Sequence, residues 1–334
     1  MDPEHLKKLL AGDQRTIARL MTQAENDLNK AADIVQSIYS HTGKAYIIGI
    51  TGAPGAGKST FVNALTKYLV DQGKCVGIIA VDPSSPFSGG AILGDRIRMK
   101  QHFTSQQVFI RSMATRGMLG GLARASKDVV KILDAGGYDY ILLETVGVGQ
   151  SEVEIYKTAH TTVLLVTPEM GDEIQTLKAG IMEITDVFVV NKADLDGANK
   201  RVAEIESMLD LDEKIQVNEE NHSVQTIRIR GWRPPVLKVI STTGTGIEEF
   251  MTAVTAHRQF CAESPNGQEH RRLQLKYEIL EILKEGVTTK IENLLHSEEN
   301  EEIERELTQL LERKTDPYSV SKKIGRMIAS LTRR

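Results

Sequence analysis

Residues 52–60 read GAPGAGKST and directly follow an apolar run containing Tyr46, Ile47, Ile48 and Ile50. A glycine-rich loop of this spacing has a mechanical purpose only between a buried strand and the start of a helix. Gly52 and Gly57 let the backbone curl so that its N–H groups face the β- and γ-phosphates of a nucleotide. Lys58 reaches the same phosphates, and the Ser59 hydroxyl is placed to ligate Mg²⁺. The whole loop, Gly52, Ala53, Pro54, Gly55, Ala56, Gly57, Lys58, Ser59 and Thr60, is therefore a candidate phosphate cradle. The apolar spacing of Phe61, Val62, Ala64, Leu65 and Leu69 predicts the following helix, whose positive dipole end adds to the attraction.

The rest of the chain is patterned to match. From residue 44 to about 258, short apolar runs at 45–50, 75–81, 108–110, 138–144, 162–167, 187–190 and 236–240 alternate with helical stretches. Such alternation predicts an α/β P-loop fold, a mostly parallel sheet flanked by helices with ligand loops at the carboxyl ends of its strands. Residues 1–41 lack strand signals. After Gly12-Asp13, apolar residues from Ile17 to Ile38 recur at helical spacing. Beyond Pro265 a second helical region carries a stripe from Leu275 to Leu295, and Pro317 precedes a last helix. The expected organisation is an N-terminal helical extension (1–41), a nucleotide-binding domain (42–260) and a C-terminal helical arm (261–334). The polar stretch 211–235 reads as a loop. The stripe of 275–295 is too long for the nucleotide-binding domain to cover alone, which predicts a twofold helical interface and a homodimer.

The base is read by NKAD, residues 191–194, directly after the run VFVV. The Asp194 carboxylate can accept from both N1–H and the exocyclic amine of guanine, whereas adenine has an acceptor at N1 and no such amine. Asn191 can donate to the purine and brace the phosphate loop, and the Lys192 stem can cover the base face. Ser241, Thr242 and Thr243 open a loop after the last apolar run, with backbone N–H groups that can meet the guanine O6. Together the three motifs predict a protein that binds GTP and GDP and hydrolyses GTP.

The metal candidates are Ser59, Asp82, Asp95 and Glu144. Glu144 ends the run YDYILLE, and the Gly147 N–H can contact the γ-phosphate. The next residue is Val148, where the water-orienting glutamine of many GTPases stands, so slow unaided hydrolysis is expected. Asp82 and Asp95 belong to a Pro-, Ser- and Gly-rich segment (81–99), and either can reach Mg²⁺ or the attacking water. A second candidate switch, 168–180, carries Asp172, Glu173, Gln175 and Lys178, the last assigned to the state coupled to a partner. Lys58, Asp82 and Lys178 are the candidate catalytic residues. Arg111, Arg116 and Arg124 are further candidates for stabilising charge.

Composition narrows the setting. A net charge of −4 with no basic excess argues against nucleic acid. The two isolated cysteines, Cys75 and Cys261, suit a reducing compartment, and no apolar stretch approaches the roughly 18 residues of a membrane span. The opening MDPEHLKKLLAGD lacks the apolar core of a signal peptide, so a cytoplasmic location is expected. Eight scattered histidines show no metal-ligand spacing.

GAPGAGKST, VDPSSPFSGGAILGDRIRM (81–99), SMATRGMLGGLA (112–123), ETVGVGQSE (144–152), GDEIQTLKAGIMEITD (171–186), NKAD and GWRPPVL (231–237) closely resemble the MeaB/ArgK family, GTPases associated with adenosylcobalamin-dependent methylmalonyl-CoA mutase. The resemblance implies a SIMIBI-type G domain with Mg²⁺, an N-terminal helical extension and a C-terminal dimerisation arm. It also implies a chaperone that gates adenosylcobalamin loading of an acyl-CoA mutase and protects that mutase. Glu at the position of Glu144 is usual in this family. Three alternatives compete: a nucleotide-sensing scaffold, a nickel-inserting GTPase, and an ATP-dependent transport-system kinase. The last is opposed by NKAD, and the nickel reading by the lack of a His- or Cys-rich tract.

Overall fold

In a computed structural model of the chain, residues 1–82, 107–114, 121–145, 155–169, 184–218, 229, 231–295 and 301–331 are described. Among the described residues, seven strands form one sheet: β1 (Tyr46–Gly52), β2 (Val76–Asp82), β3 (Val108–Ala114), β4 (Tyr140–Thr145), β5 (Thr161–Val166), β6 (Val187–Asn191) and β7 (Val236–Val239). Their order is β3-β2-β4-β1-β5-β6-β7, and every pairing is parallel. The central strand β1 lies between β4 and β5, so the loop leaving its carboxyl end opens at the point where strand order reverses. That is where an open parallel sheet binds its ligand.

Strand periodicity divides the core into two faces. Ile48, Ile50, Ile78, Leu142, Val163 and Val189 point to one side, with α4 (Lys58–Asp71) and α7 (Ile247–Glu263) over them. Phe61 and Phe250 meet there edge to face, 5.0 Å apart. On the other side, Ile47, Ile79, Ile141 and Leu143 pack under α5 (Gly121–Ala135) and the helices α1 (Pro3–Leu10), α2 (Gln14–Asn26) and α3 (Leu28–Ile38). Leu164, Val166, Phe188 and Val190 continue this face beneath α6 (Ala198–Asn218). The inner strands β2, β4, β1, β5 and β6 are buried on both faces, as a sheet covered on both sides requires.

Local signals explain several boundaries. Asp13 caps α2 by accepting from Thr16 N–H (2.8 Å). The apolar periodicity of 17–38 is interrupted at Asp27, which accepts from Asn29 and Lys30 N–H and starts α3 as a separate helix. Asp134 of α5 accepts the N–H groups of Gly43, Lys44 and Ala45 and so fixes the entry to β1. The loop expected at 211–235 is corrected in part, because residues 211–218 continue α6 to Asn218. Between Gly197 and Gly231 the sequence contains neither glycine nor proline, and polarity alone does not stop a helix.

The chain divides into two compact units, Met1–Glu278 and Ile279–Arg334. The helix α8 (Pro265–Leu295) spans this boundary, and α9 (Glu301–Leu311) and α10 (Pro317–Leu331) follow. Within the second unit Ile303 and Val320 are buried, and Lys323 Nζ donates to both oxygens of Glu306 at 2.8 Å. Asp316 caps α10 by accepting from Tyr318 and Ser319 N–H. Among the described residues, no helix is long and apolar enough to cross a membrane.

Candidate functional site

The phosphate loop turns where only glycine fits. Gly52 has φ 149°, and a Cβ there would stand 2.4 Å from the Leu165 carbonyl oxygen of the neighbouring strand. Gly57 has φ 86°, and its Cβ would stand 2.5 Å from Asn191 Nδ2. The loop is thus pressed between β5 and the end of β6. The helix α4 begins from Gly57 without a side-chain cap, leaving its first turn to present backbone donors and the positive dipole end. Lys58 is buried and donates from Nζ to the carbonyls of Gly52 (2.8 Å) and Ala53 (3.0 Å), which folds its ammonium over the loop.

Two of the metal candidates meet. Ser59 Oγ donates to Glu144 Oε1 at 2.7 Å, and Glu144 is buried at the carboxyl end of β4. This juxtaposition follows from strand order, since Ile50 and Glu144 are paired across β1 and β4. A hydroxyl and a carboxylate in contact beside the phosphate loop form a hard oxygen donor set of the kind Mg²⁺ accepts. Asp82 ends β2, and its neighbour Val81 pairs with Thr145, so its backbone lies at the same edge of the sheet. Asp95, Gly147, Val148, Asp172, Glu173, Gln175 and Lys178 lie outside the described residues, as do Arg116 and the side chain of Arg124. Arg111 is turned away from this role: its guanidinium donates to Glu25 (2.9 and 2.7 Å) and to Thr22 of α2.

The NKAD segment is tied to the phosphate loop through Asn191. Its Nδ2 donates to the Ala56 carbonyl at 2.9 Å, while its Oδ1 accepts from Ser241 Oγ (2.7 Å) and Ser241 N–H (3.3 Å). Asn191 and Ser241 are both buried. Lys192 adopts a positive φ of 55°, which turns the chain sharply so that Ala193 N–H reaches the Val239 carbonyl and Asp194 is left exposed. Thr243 and Gly244 N–H both donate to the Ile240 carbonyl, and Ile240 bridges to Thr245. Of the three amides expected to face the base, those of Ser241 and Thr243 are thus engaged within the protein. The direct Ser241–Asn191 bond has no signature in the sequence beyond the small hydroxyl residue after the last strand.

A family model described as methylmalonyl Co-A mutase-associated GTPase MeaB matches residues 17–295. The chain belongs to the MeaB family of GTPases. A protein of Pyrococcus abyssi is 48% identical over 321 residues, covering 96% of this chain and 95% of that one. The GTPase ArgK of Escherichia coli is 33% identical over 276 residues, covering 81% and 80%. Among solved structures, one titled as an LAO/AO transport system kinase superposes with a TM-score of 0.65 at 26% identity, covering 98% of this chain and 97% of its own. Membership in MeaB makes the chain a GTPase, on a fold shared with that solved structure.

Proposed function

We propose that this GTPase is a chaperone of an adenosylcobalamin-dependent acyl-CoA mutase of the methylmalonyl-CoA mutase type, gating its cofactor loading by the GTP or GDP state. What supports the mutase is the match of residues 17–295 to a family described by that association. In this reading the amides of the phosphate loop and Lys58 hold the phosphates. Asp194 selects guanine, the Lys192 stem covers the base, and Thr242 offers the amide for O6, since those of Ser241 and Thr243 are engaged.

Ser59 and Glu144 would hold Mg²⁺, with Asp82 and Asp95 the other candidate oxygen donors. Bound there, the ion offsets phosphate charge. The Ser59–Glu144 hydrogen bond brings these two oxygen donors to one point beside the phosphate loop. Gly147 is the proposed γ-phosphate donor, and Val148 leaves the water without a glutamine, so hydrolysis is slow until a partner engages. Lys178 is assigned to that partner-coupled state. The protein acts in the cytoplasm as a homodimer through residues 261–334, without nucleic acid. The exposure of Ile279, Leu283 and Val287 along α8 fits such an interface.

The test is mutase affinity measured with a non-hydrolysable GTP analogue and with GDP. Different affinities, with mutase-stimulated GTP hydrolysis, are expected. Equal affinities and unchanged hydrolysis would leave a GTPase without the chaperone role.

A further inference from the structure

Gly49 stands in the middle of β1, three residues before the phosphate loop. A Cβ there would lie 2.2 Å from Ile155 Cγ2 and 2.9 Å from Ala159 Cβ. The short turn at 155–160 therefore sits directly on the strand that delivers the loop. Its end is fastened to the same strand: Ile47 N–H donates to His160 Nδ1 (3.2 Å), and His160 N–H donates to the Ile47 carbonyl (2.9 Å). In the chain this turn begins three positions after ETVGVGQSE (144–152), the sequence that starts at Glu144.

The opposite side of the turn is held by the root of α8. Gln274, only 5% exposed, donates from Nε2 to the carbonyls of Tyr156 (3.2 Å) and Ala159 (3.0 Å). The Tyr156 hydroxyl lies 3.0 Å from His270 Nδ1, with the two rings edge to face at 5.1 Å. Lys157 approaches the face of the Tyr277 ring, and Lys131 of α5 pairs with Glu278. One amide keeps both of its bonds only while the two carbonyls of the turn stay in place. Ile155 has no free volume at Gly49 into which to relax. Packed contacts of this kind respond to a displacement by switching arrangement, not by stretching.

We propose that residues 155–159 form a wedge between β1 and the root of α8 (265–278), so that exchange of GDP for GTP repositions that root, with Gln274 as the positioning residue that carries the shift. This rests on guanine nucleotide binding at the phosphate loop. It adds an output: the nucleotide state is read at a helix on the far side of the wedge.

The experiment is hydrogen–deuterium exchange on the full-length chain with GDP or a non-hydrolysable GTP analogue, each with Mg²⁺, with binding measured by calorimetry. Peptides covering 155–160 and 265–278 should exchange at rates that differ about threefold or more between the two states. Gln274→Met keeps the volume and removes both bonds. It should bind each nucleotide within about twofold of the unaltered protein yet lose the difference at 265–278. Gly49→Ala should also abolish the difference, because its methyl would strike both Ile155 Cγ2 and Ala159 Cβ. If Gly49→Ala does not fold, the Gln274→Met result decides. Identical exchange at 265–278 with both nucleotides bound, or a difference that survives in Gln274→Met, overturns the wedge and leaves the GTPase reading intact. Failure of both nucleotides to bind overturns the two together.

Discussion

Replacing Asn191 with alanine isolates the brace between the base-reading motif and the phosphate loop. The side chain is 2% exposed and makes three hydrogen bonds, to the Ala56 carbonyl (2.9 Å), Ser241 Oγ (2.7 Å) and Ser241 N–H (3.3 Å). At a net worth of about 1 kcal/mol each, their loss costs about 3 kcal/mol, and more if the buried Ala56 carbonyl finds no water. If the compact unit of 278 residues unfolds in one step, that lowers the melting temperature by about 5 °C. Calorimetry without nucleotide reads this cost apart from any contact to the base. Asn191→Asp keeps an acceptor for Ser241 but sets an oxygen against the Ala56 carbonyl, so it should be at least as costly. Gly57→Ala should harm the Asn191→Ala background less than the unaltered protein, because the amide that its methyl would strike, at 2.5 Å, is gone. A shift below about 1 °C for Asn191→Ala would refute the brace as an energetic element.

At the other end of the sheet, burial pushes the pKa of His160 from 6.5 down to about 3 and that of His257 down to about 4. The unfolded chain therefore binds more protons than the folded one below pH 6.5. Stability is full above that value and falls as pH drops toward the folded pKa values, by about 1.4 kcal/mol per pH unit for each histidine. Urea midpoints measured from pH 8 to pH 5 check this, and replacing both histidines with glutamine should flatten the decline. Asp194→Asn should weaken GDP and GTP and favour xanthine nucleotides, because xanthine offers an acceptor where guanine has its amine. Competition binding measures the swap, and unchanged preference would sink the assignment. Ser59→Ala removes a hydroxyl that lies 2.7 Å from Glu144, so the Mg²⁺ concentration for half-maximal hydrolysis should rise at least about tenfold. Chelation of divalent ions should stop turnover of the unaltered protein, and turnover that survives it would remove the metal from the mechanism.

The sheet was legible because its five inner strands are buried on both faces. Runs such as VFVV and YILL are apolar without interruption, and the turns between them are marked by glycine and polar residues. Where reading by composition failed, at 211–218, the chain is polar but contains no residue that breaks a helix. The interruption at Asp27 was equally hidden, because the apolar spacing of α2 and α3 continues across the cap that separates them. Polarity and periodicity report what a segment buries, not where its backbone must turn.

The same distinction separates the two ends of the sheet. At the carboxyl end, chemistry is written in short contiguous strings, because one loop must supply successive amides, a cation and a hydroxyl to one phosphate chain. Spacing alone therefore singles out Gly52, Lys58, Ser59, Asn191 and Asp194 as candidates. The amino end is assembled from residues far apart in sequence. Tyr46 OH meets Thr161 Oγ1 at 2.7 Å, Thr161 Oγ1 lies 2.9 Å from His257 Nδ1, and Trp232 Nε1 donates to the Asp186 carbonyl at 2.8 Å. Gln274 reaches back 118 positions to Tyr156. No motif links such residues, because their partners are chosen by strand order and helix docking. Even the chemical end depends on this hidden layer. Asn191 reads in the string NKAD as a base contact and a brace of the phosphate loop, and its amide is committed on one side to Ala56 and on the other to Ser241, a partner the string does not name. Its first physical task is to hold three loops in register, and the base selection proposed for Asp194 would operate within the frame that this one buried side chain sets.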